Sequence, residues 1–196
     1  MFCGRYTPSV ARADQVPTNS QFHPRSTGDE VLTGIDLDDC ISVVTGGYSG
    51  IGLETVRALS RRGATVIVPV RSPEKAKESL AGIPGVRTVS LDLADIRSVR
   101  SCGENLVAEL PRIDLLIANA GIMACPESRV GPGWESQFGV NHMGHFALTK
   151  AVTPLLKKSG HACVIALSST GHKLSGICWD DIQFESTTYD KWRAYG

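Results

Sequence analysis

Residues 45–52 read Thr-Gly-Gly-Tyr-Ser-Gly-Ile-Gly and follow an apolar run at 41–44. Glycine tolerates positive φ angles and lets backbone N–H groups approach a phosphate, and the N-terminus of a following helix attracts negative charge. The glycines Gly46, Gly50 and Gly52 therefore predict a site for the diphosphate of a nucleotide. Their Gly-x-x-x-Gly-x-Gly spacing is wider than the standard dinucleotide fingerprint, and a strand-to-helix turn without a ligand is the alternative interpretation.

Arg71 ends the second predicted strand, about 20 residues beyond the glycines, where a dinucleotide fold usually places an acidic residue. A carboxylate accepts hydrogen bonds from the adenosine ribose, which a guanidinium cannot do. A guanidinium can instead hold a 2′-phosphate through two hydrogen bonds. Arg71 therefore favours NADP(H) over NAD(H), and a solvent-facing arginine is the alternative.

Two further segments follow predicted strands. Asp92 and Leu93 come after the third strand, where a carboxylate can accept a hydrogen bond from an adenine amino group and a leucine can pack near the ring. Asn119, Ala120 and Gly121 come after the fourth strand and are small enough for the chain to pass close to a cofactor. The simpler alternatives are a turn capped by Asp92 and a tight turn at 119–121.

The second half of the chain holds a serine pair, a tyrosine and an asparagine that could take part in acid–base chemistry. Ser168 and Ser169 follow the fifth predicted strand, Tyr195 lies 26 residues beyond Ser169, and Asn141 lies inside a long helix before that strand. Each has an ordinary structural explanation when taken alone, as a cap, a packed aromatic ring or a packing amide.

Strands and helices alternate along the chain and must position these residues. Apolar and β-branched runs predict strands at 41–45, 65–70, 86–91, 113–118 and 162–167. Helical patterns lie at about 50–62, from Pro73 onward, at 96–110 and at 135–156, and 126–133 reads as a loop. Strands separated by such helices run parallel with right-handed crossovers, which predicts an α/β fold with a doubly wound parallel sheet. Ligands of these sheets bind beyond the carboxyl ends of the strands, where most of the polar segments lie.

The composition is typical of one soluble globular domain. The chain has 196 residues, 42% of them hydrophobic, and its 20 basic and 20 acidic residues cancel. Because no block of like charges appears, neither a nucleic acid nor an anionic membrane is an expected partner. No apolar stretch predicts a signal peptide or a membrane span. Residues 1–35 read as an N-terminal arm, and residues 36–196 read as the domain.

Cysteines and histidines give no sign of a disulfide framework or a metal site. The six cysteines are scattered without a Cys-x-x-Cys pair, which favours reduced thiols and a cytoplasmic location. His142 and His145 lie three residues apart on the long helix, but no carboxylate or third ligand accompanies them. Packing or solvent exposure is the preferred interpretation of both, and no metal is expected.

Taken together and in this order, the motifs resemble the short-chain dehydrogenase/reductase family. The shared pattern is the glycine motif at 45–52, Asn-Ala-Gly at 119–121, Asn141 in a helix, a serine at a strand end and Tyr195. The resemblance runs from about residue 36 to residue 196. The Ser168-Ser169-x-x-His172 segment is similar to the retinol-dehydrogenase-like branch, which often carries arginine where Arg71 stands.

The resemblance implies a Rossmann-type fold and an oxidoreductase that transfers a hydride between NADP(H) and a small alcohol or carbonyl substrate, which is hydrophobic in this branch. NAD(H) is the less favoured cofactor. It also implies that Tyr195 is the general acid or base, that Ser169, or less favourably Ser168, holds the substrate oxygen, and that Asn141 holds a water. The implied cofactor site comprises Gly46, Ser49, Gly50, Ile51, Gly52, Arg71, Asp92, Leu93, Asn119 and Gly121.

The sequence departs from the family pattern at its C-terminal side. The family motif is Tyr-x-x-x-Lys, whereas the sequence ends one residue after Tyr195. We therefore expect a truncated, NADP-binding Rossmann-type domain whose sheet is incomplete at the C-terminal side. Its apolar edge at 164–167 favours pairing with another chain, so a homo-oligomer is an expected partner. We expect this segment to bind the adenosine half of the cofactor and to turn over weakly or not at all.

Two other classes of protein compete with this interpretation. A non-catalytic NADP(H)-binding or regulatory protein would use the same cleft without any chemistry at Tyr195. A methyltransferase with a related sheet is less favoured, because its adenosyl ribose also requires an acidic residue where Arg71 stands.

Overall fold

The computed structural model describes residues 20–196, and its centre is a five-stranded parallel sheet. The order across the sheet is third, second, first, fourth and last strand. The second and third strands therefore lie on one side of the first strand, and the fourth and last strands lie on its other side. This arrangement confirms the predicted doubly wound α/β sheet. The strands of the sheet are β1 (Ile41–Val44), β2 (Thr65–Val70), β3 (Val86–Ser90), β4 (Leu115–Ala118) and β7 (Cys163–Ala166), and a separate hairpin pairs β5 (Arg129–Val130) with β6 (Trp134–Glu135).

Helices connect the parallel strands. The α-helices are α1 (Gly28–Val31), α2 (Gly50–Arg61), α3 (Pro73–Ser79), α4 (Ile96–Glu109), α5 (His145–Ser159) and α6 (Lys191–Tyr195). A π-helical segment at Phe138–Gly144 precedes α5, and a 3₁₀ turn at Thr170–Lys173 follows β7. No helix between residues 20 and 196 is long and apolar enough to cross a membrane.

The sheet has a separate hydrophobic core on each face. Val43 belongs to a buried cluster that contains residues of α4 and α5, such as Val99 and Val152. The next residue, Val44, belongs to a second cluster, which contains residues of α2 such as Val56. Successive strand side chains point to opposite faces, and both faces are covered, which explains the continuous apolar runs that predicted these strands.

Two predicted elements differ from the structure. The predicted loop at 126–133 contains β5, and the helix predicted over 135–156 begins one residue later, at Ser136. The carboxylate of Glu135 explains the later start, because its two oxygens accept hydrogen bonds from the backbone N–H groups of Gln137 (3.0 Å) and Phe138 (2.8 Å). An acidic side chain that caps a helix in this way ends the preceding strand and fixes where the helix begins.

The division between an arm and a domain at residue 35 stays a prediction. Residues 1–19 of the predicted arm lie outside the described residues. In the described part, Thr27 and Glu30 form a capping box at the start of α1. Asp29 and Arg61 form an ion pair with an N–O distance of 2.8 Å, so α1 lies against α2.

Candidate cofactor and active site

A cleft of about 700 Å³ lies at the carboxyl ends of the parallel strands. Gly50 is exposed and lies outside the residues that line this cleft. All the other predicted site residues line it: Gly46, Ser49, Ile51, Gly52, Arg71, Asp92, Leu93, Asn119, Gly121, Asn141, Ser169 and Tyr195. Residues from seven segments of the chain therefore meet in one place, as the topology of a doubly wound sheet predicts.

The glycine turn after β1 is packed too tightly for side chains. Gly46 has a φ of 66°, and a Cβ atom on it would lie 3.0 Å from the Cα atom of Ala120. A Cβ atom on Gly52 would lie 2.4 Å from both the carbonyl oxygen of Gly46 and the Nδ2 atom of Asn119. Glycine at these two positions thus brings the first turn of α2 close to β1 and to the segment after β4.

The N-terminus of α2 is suited to bind a phosphate. Ser49 is the N-cap residue, but its side chain makes no capping hydrogen bond, and the first turn contains no acidic residue. The first N–H groups of a helix have no partner within the helix and carry the positive end of its dipole. A diphosphate in the cleft beside Ser49, Ile51 and Gly52 can accept hydrogen bonds from these groups.

Arg71 provides positive charge at the end of β2. It is exposed, it lines the cleft, and it forms no hydrogen bond or ion pair within residues 20–196. Asp92 is the sole acidic residue among the described side chains that line the cleft. Its Oδ1 atom accepts a hydrogen bond from the N–H group of Ala94 (2.9 Å), so Asp92 caps its turn and also lines the cleft. The region at the end of β2 is therefore suited to an anionic group.

Thr45 and Asn119 join the glycine turn to the segment after β4. The Thr45 hydroxyl accepts hydrogen bonds from the N–H groups of Asn119 and Ala120, both at 3.0 Å. The amide of Asn119 donates to the carbonyl oxygen of Thr45 at 2.8 Å. The sequence motifs predict a place for Asn119 beside a cofactor, but they do not indicate the role of Thr45, whose buried hydroxyl organises the turn.

Asn141 joins the π-helical segment to the segment after β4. Its Oδ1 atom accepts a hydrogen bond from the N–H group of Ile122, and its Nδ2 atom donates to the carbonyl oxygen of the same residue, both at 2.8 Å. This pair of bonds positions residues 119–122 beside the cofactor cleft. The predicted role of Asn141 in holding a water stays a prediction.

The Ser169 hydroxyl and the Tyr195 ring both lie beside Gly171, in the 3₁₀ turn that follows β7. Ser169 caps this turn, because its hydroxyl accepts a hydrogen bond from the N–H group of Gly171 at 3.1 Å. A Cβ atom on Gly171 would lie 2.5 Å from Cε1 of Tyr195 and 3.4 Å from the Ser169 hydroxyl oxygen, so the ring and the hydroxyl approach the same point. The hydroxyl of Tyr195 forms no hydrogen bond within residues 20–196. It can therefore donate its proton to a substrate in the cleft.

A buried polar cluster, which sequence analysis missed, holds the segment that carries Tyr195. Gln137 accepts a hydrogen bond from the N–H group of Ala124 (2.7 Å) and donates to the Tyr189 hydroxyl and to the carbonyl oxygen of Lys191, both at 3.0 Å. Burial raises the pKa of Tyr189, and the nearby Glu135 carboxylate acts in the same direction, so this hydroxyl stays protonated. Because Lys191 begins α6, Gln137 sets the position of the helix that ends at Tyr195.

The two histidines three residues apart have separate roles. The ring of His142 stacks between those of Phe138 and Phe146, at centroid distances of 5.3 and 6.5 Å. His145 is buried and hydrogen-bonded to backbone and side-chain partners on both sides of its ring. Within residues 20–196, no group of three or more histidine, cysteine or acidic side chains is arranged to hold a metal ion.

The sheet, its order and the glycine turn together define an α/β protein of the dinucleotide-binding class. The family model "short chain dehydrogenase" matches residues 41–180. The chain belongs to the short-chain dehydrogenase/reductase family, as its motifs predicted.

Curated relatives support the same assignment. The chain is 36% identical over 204 residues to the short-chain dehydrogenase/reductase prx1 of Penicillium roqueforti, an alignment that covers 98% of this chain and 58% of that protein. It is 39% identical over 159 residues to retinol dehydrogenase 13 of Homo sapiens, which covers 78% of this chain and 48% of the relative. The second match confirms the predicted resemblance to the retinol-dehydrogenase-like branch. The chain thus spans roughly half of the length of these relatives.

Solved structures agree with the fold. A crystal structure of a Mycobacterium paratuberculosis protein has a TM-score of 0.73 and 39% identity, with 82% of this chain and 57% of that chain covered. The Pseudomonas aeruginosa RhlG/NADP active-site complex has a TM-score of 0.62 and 27% identity, with 82% of this chain and 62% of that chain covered.

Proposed function

We propose that this protein is an NADP(H)-dependent oxidoreductase that interconverts a hydrophobic carbonyl compound and its alcohol. One observation carries the proposal. The glycine turn at the start of α2, the guanidinium of Arg71 and the Ser169–Tyr195 pair all line a single cleft. Groups suited to bind an anion and a hydroxyl suited to donate a proton are thus combined in one cleft, as hydride transfer from a dinucleotide requires.

The cleft at the carboxyl ends of the strands would hold NADP(H). The turn at 46–52 would bind the diphosphate, and Arg71 would bind the 2′-phosphate of the adenosine ribose. Asp92 and Leu93 would lie beside the adenine, because both line the cleft after β3. The likeness to RhlG, whose structure contains NADP, supports this choice of cofactor.

The chemistry would take place where Ser169 and Tyr195 meet. A bound nicotinamide would supply the hydride that is added to the carbonyl carbon. The hydroxyl of Ser169 would donate a hydrogen bond to the carbonyl oxygen and so fix its position. Tyr195 would donate its phenolic proton to the same oxygen, which becomes the hydroxyl of the alcohol, and would accept that proton back in the oxidation direction.

Two apolar side chains of the cleft lining support the proposed substrate class. Met123 and Leu167 line the cleft and are 58% and 46% exposed. Exposed apolar side chains in a site favour an apolar substrate. Because the chain spans only part of its relatives' length, we propose that residues 1–196 assayed alone bind the cofactor but turn over weakly.

Replacement of Arg71 by alanine is expected to weaken NADPH binding by roughly 10- to 100-fold, since a hydrogen bond to a charged group contributes about 1.5–3 kcal/mol. NADH lacks the 2′-phosphate, so its affinity is expected to stay within about 2-fold of the wild-type value. That change is much smaller than a tenfold change in affinity, which corresponds to about 1.4 kcal/mol. Isothermal titration with both nucleotides measures the ratio of the two affinities.

Arg87 offers a matched control, because it is an exposed arginine that pairs with Glu109 away from the cleft. Arg87→Ala is expected to leave the NADPH to NADH ratio unchanged. Equal losses for both nucleotides in Arg71→Ala would contradict the assignment of the 2′-phosphate. NADPH binding without any carbonyl reduction, even by a longer protein that includes the segments its relatives add, would favour the non-catalytic alternative.

A cytoplasmic location and self-association are also part of the proposal. The scattered cysteines support a cytoplasmic location. Self-association is supported by β7, which is an edge strand of the described sheet and carries the half-exposed side chains of Val164 and Ile165.

A further inference from the structure

His145 is a buried histidine to which the proposed reaction assigns no role. It begins α5, it is 8% exposed, and both of its ring nitrogens lie within hydrogen-bond distance of a partner. The Nδ1 atom lies 2.9 Å from the backbone oxygen of Asn141, and the Nε2 atom lies 2.8 Å from the hydroxyl oxygen of Thr45. The ring thus connects the π-helical segment to the glycine turn.

The partners of the ring determine where its proton lies. A carbonyl oxygen only accepts hydrogen bonds, so Nδ1 must carry the proton that bonds to Asn141. Burial lowers the pKa of His145, and the nearby His142 acts in the same direction, while the bond to Asn141 opposes the shift. The ring is therefore neutral at neutral pH, which leaves Nε2 as an acceptor for the Thr45 hydroxyl.

The hydroxyl of Thr45 needs this acceptor. It is 1% exposed and already accepts hydrogen bonds from the N–H groups of Asn119 and Ala120, which occupy its two lone pairs. Its proton has two acceptors within reach, and the Nε2 atom of His145 at 2.8 Å is much closer than the carbonyl oxygen of Ile117 at 3.4 Å. Loss of the histidine would leave this hydroxyl with the weaker bond alone.

The chain of hydrogen bonds reaches residues that line the cleft. Thr45 directly precedes Gly46, and Asn119 and Ala120, which bond to the Thr45 hydroxyl, also line the cleft. Asn141 bonds to Ile122 in the same segment. A displacement of the His145 ring would therefore be transmitted to both the diphosphate-binding turn and the segment after β4.

We propose that His145 is a positioning residue of the cofactor site, which holds the Asn141 carbonyl and the Thr45 hydroxyl in one fixed arrangement. The inference rests on the proposed function where it concerns NADPH affinity. Its hydrogen-bond arrangement can be tested without any nucleotide.

The first test is a long-range ¹H–¹⁵N correlation spectrum of the histidine-labelled protein at neutral pH. His145 is one of five histidines, and its signals are assigned by their loss in His145→Gln. The neutral ring with its proton on Nδ1 is the expected form. A charged ring, or a proton on Nε2, would overturn the proposal whether or not NADPH binds.

The second test measures NADPH affinity in folded variants. His145→Leu is expected to bind about 10-fold more weakly, and Thr45→Val at least as weakly, because it also removes the acceptor of the Asn119 and Ala120 N–H groups. The double variant is expected to bind no more weakly than Thr45→Val, because both changes break the bond between the ring and the hydroxyl. His145→Gln, whose amide oxygen can replace Nε2 as the acceptor, and Thr45→Ser, which keeps the hydroxyl, are expected to retain most of the affinity. His142→Leu is the matched control. Its NADPH affinity is expected to stay unchanged, because the His142 ring stacks with the rings of Phe138 and Phe146 on the same helix.

Wild-type affinity in folded His145→Leu, or additive losses in the double variant, would overturn the proposal. If His145→Leu does not fold, the comparison of Thr45→Val with Thr45→Ser replaces it, and equal affinities of these two variants would likewise overturn it. If the wild-type protein binds no NADPH, the proposed function fails, while the spectrum still decides the role of His145.

Discussion

Tyr195→Phe is expected to lower carbonyl reduction by roughly 10²- to 10⁴-fold, the usual contribution of a positioned general acid, when it is assayed in a longer protein that includes the segments its relatives add. The variant loses one oxygen atom, and that hydroxyl forms no hydrogen bond within residues 20–196. The free energy of unfolding and the affinity for NADPH are therefore expected to stay at wild-type values. The measurement is the loss of NADPH absorbance with a panel of apolar aldehydes and ketones, together with urea unfolding and NADPH titration.

Tyr189→Phe provides the matched control for this experiment. The Tyr189 hydroxyl accepts a hydrogen bond from Gln137 and lies 3.0 Å from the carbonyl oxygen of Cys125 and 3.2 Å from Oε1 of Glu135. Its loss is expected to destabilise the fold by about 1–3 kcal/mol, the cost of unsatisfied buried polar partners. If Tyr189→Phe removed turnover while Tyr195→Phe left it intact, the assignment of the proton donor would be wrong.

Gly52→Ala is expected to weaken NADPH binding by about 100-fold or more, equivalent to roughly 3 kcal/mol. The new Cβ atom would lie 2.4 Å from the backbone oxygen of Gly46, so the glycine turn and the start of α2 must move apart. That movement displaces the N–H groups that would bind the diphosphate. Titration of the folded variant with NADPH measures the effect, and circular dichroism reports the fold.

Gly103→Ala separates the effect on the cleft from a loss of stability. Gly103 lies in α4, and a Cβ atom on it would lie 2.5 Å from the Cβ atom of Ala151 in α5; neither residue lines the cleft. Overpacking at this helix contact is expected to destabilise the fold by about 1–3 kcal/mol. NADPH affinity below the melting temperature is expected to stay unchanged. Similar affinities of Gly52→Ala and the wild-type protein would contradict the assignment of the diphosphate site.

The sheet could be predicted from the sequence because its signals are local. The run Val66-Ile67-Val68 is buried on both faces, so it is continuously apolar, and its short length favours a strand. Gly46 and Gly52 mark the turn because backbone packing excludes any larger residue there. The parallel order then follows from the helices between the strands, and it brings the predicted polar segments to one edge.

The wider helix before α5 could not be predicted in the same way. A helical pattern continues through Asn141, and it does not reveal that residues 138–144 form π-helical turns. The start of that helix depends on the Glu135 carboxylate, whose role is visible only once Tyr189 and Gln137 lie beside it. The hydrogen bond between Tyr189 and Glu135 joins residues 54 positions apart and leaves no periodic signal.

The hydrogen bonds that connect the residues of the candidate site could not be predicted from the sequence either. The spacing of motifs indicated Asn119 and Asn141 as site residues, but it gave no indication that Thr45 and His145 connect them. Thr45 opens the glycine motif, which is a signal that sequence reasoning could have used. His145 follows Asn141 by one helical turn, and only the fold brings it to a residue one hundred positions earlier in the chain.

A crystal structure of the protein with NADPH tests the central claim most directly. The account predicts a diphosphate within hydrogen-bond distance of the N–H groups at the start of α2, and a 2′-phosphate beside the guanidinium of Arg71. It also predicts that the nicotinamide faces Ser169 and Tyr195. A nucleotide bound outside this cleft, or a 2′-phosphate that points to solvent away from Arg71, would contradict it.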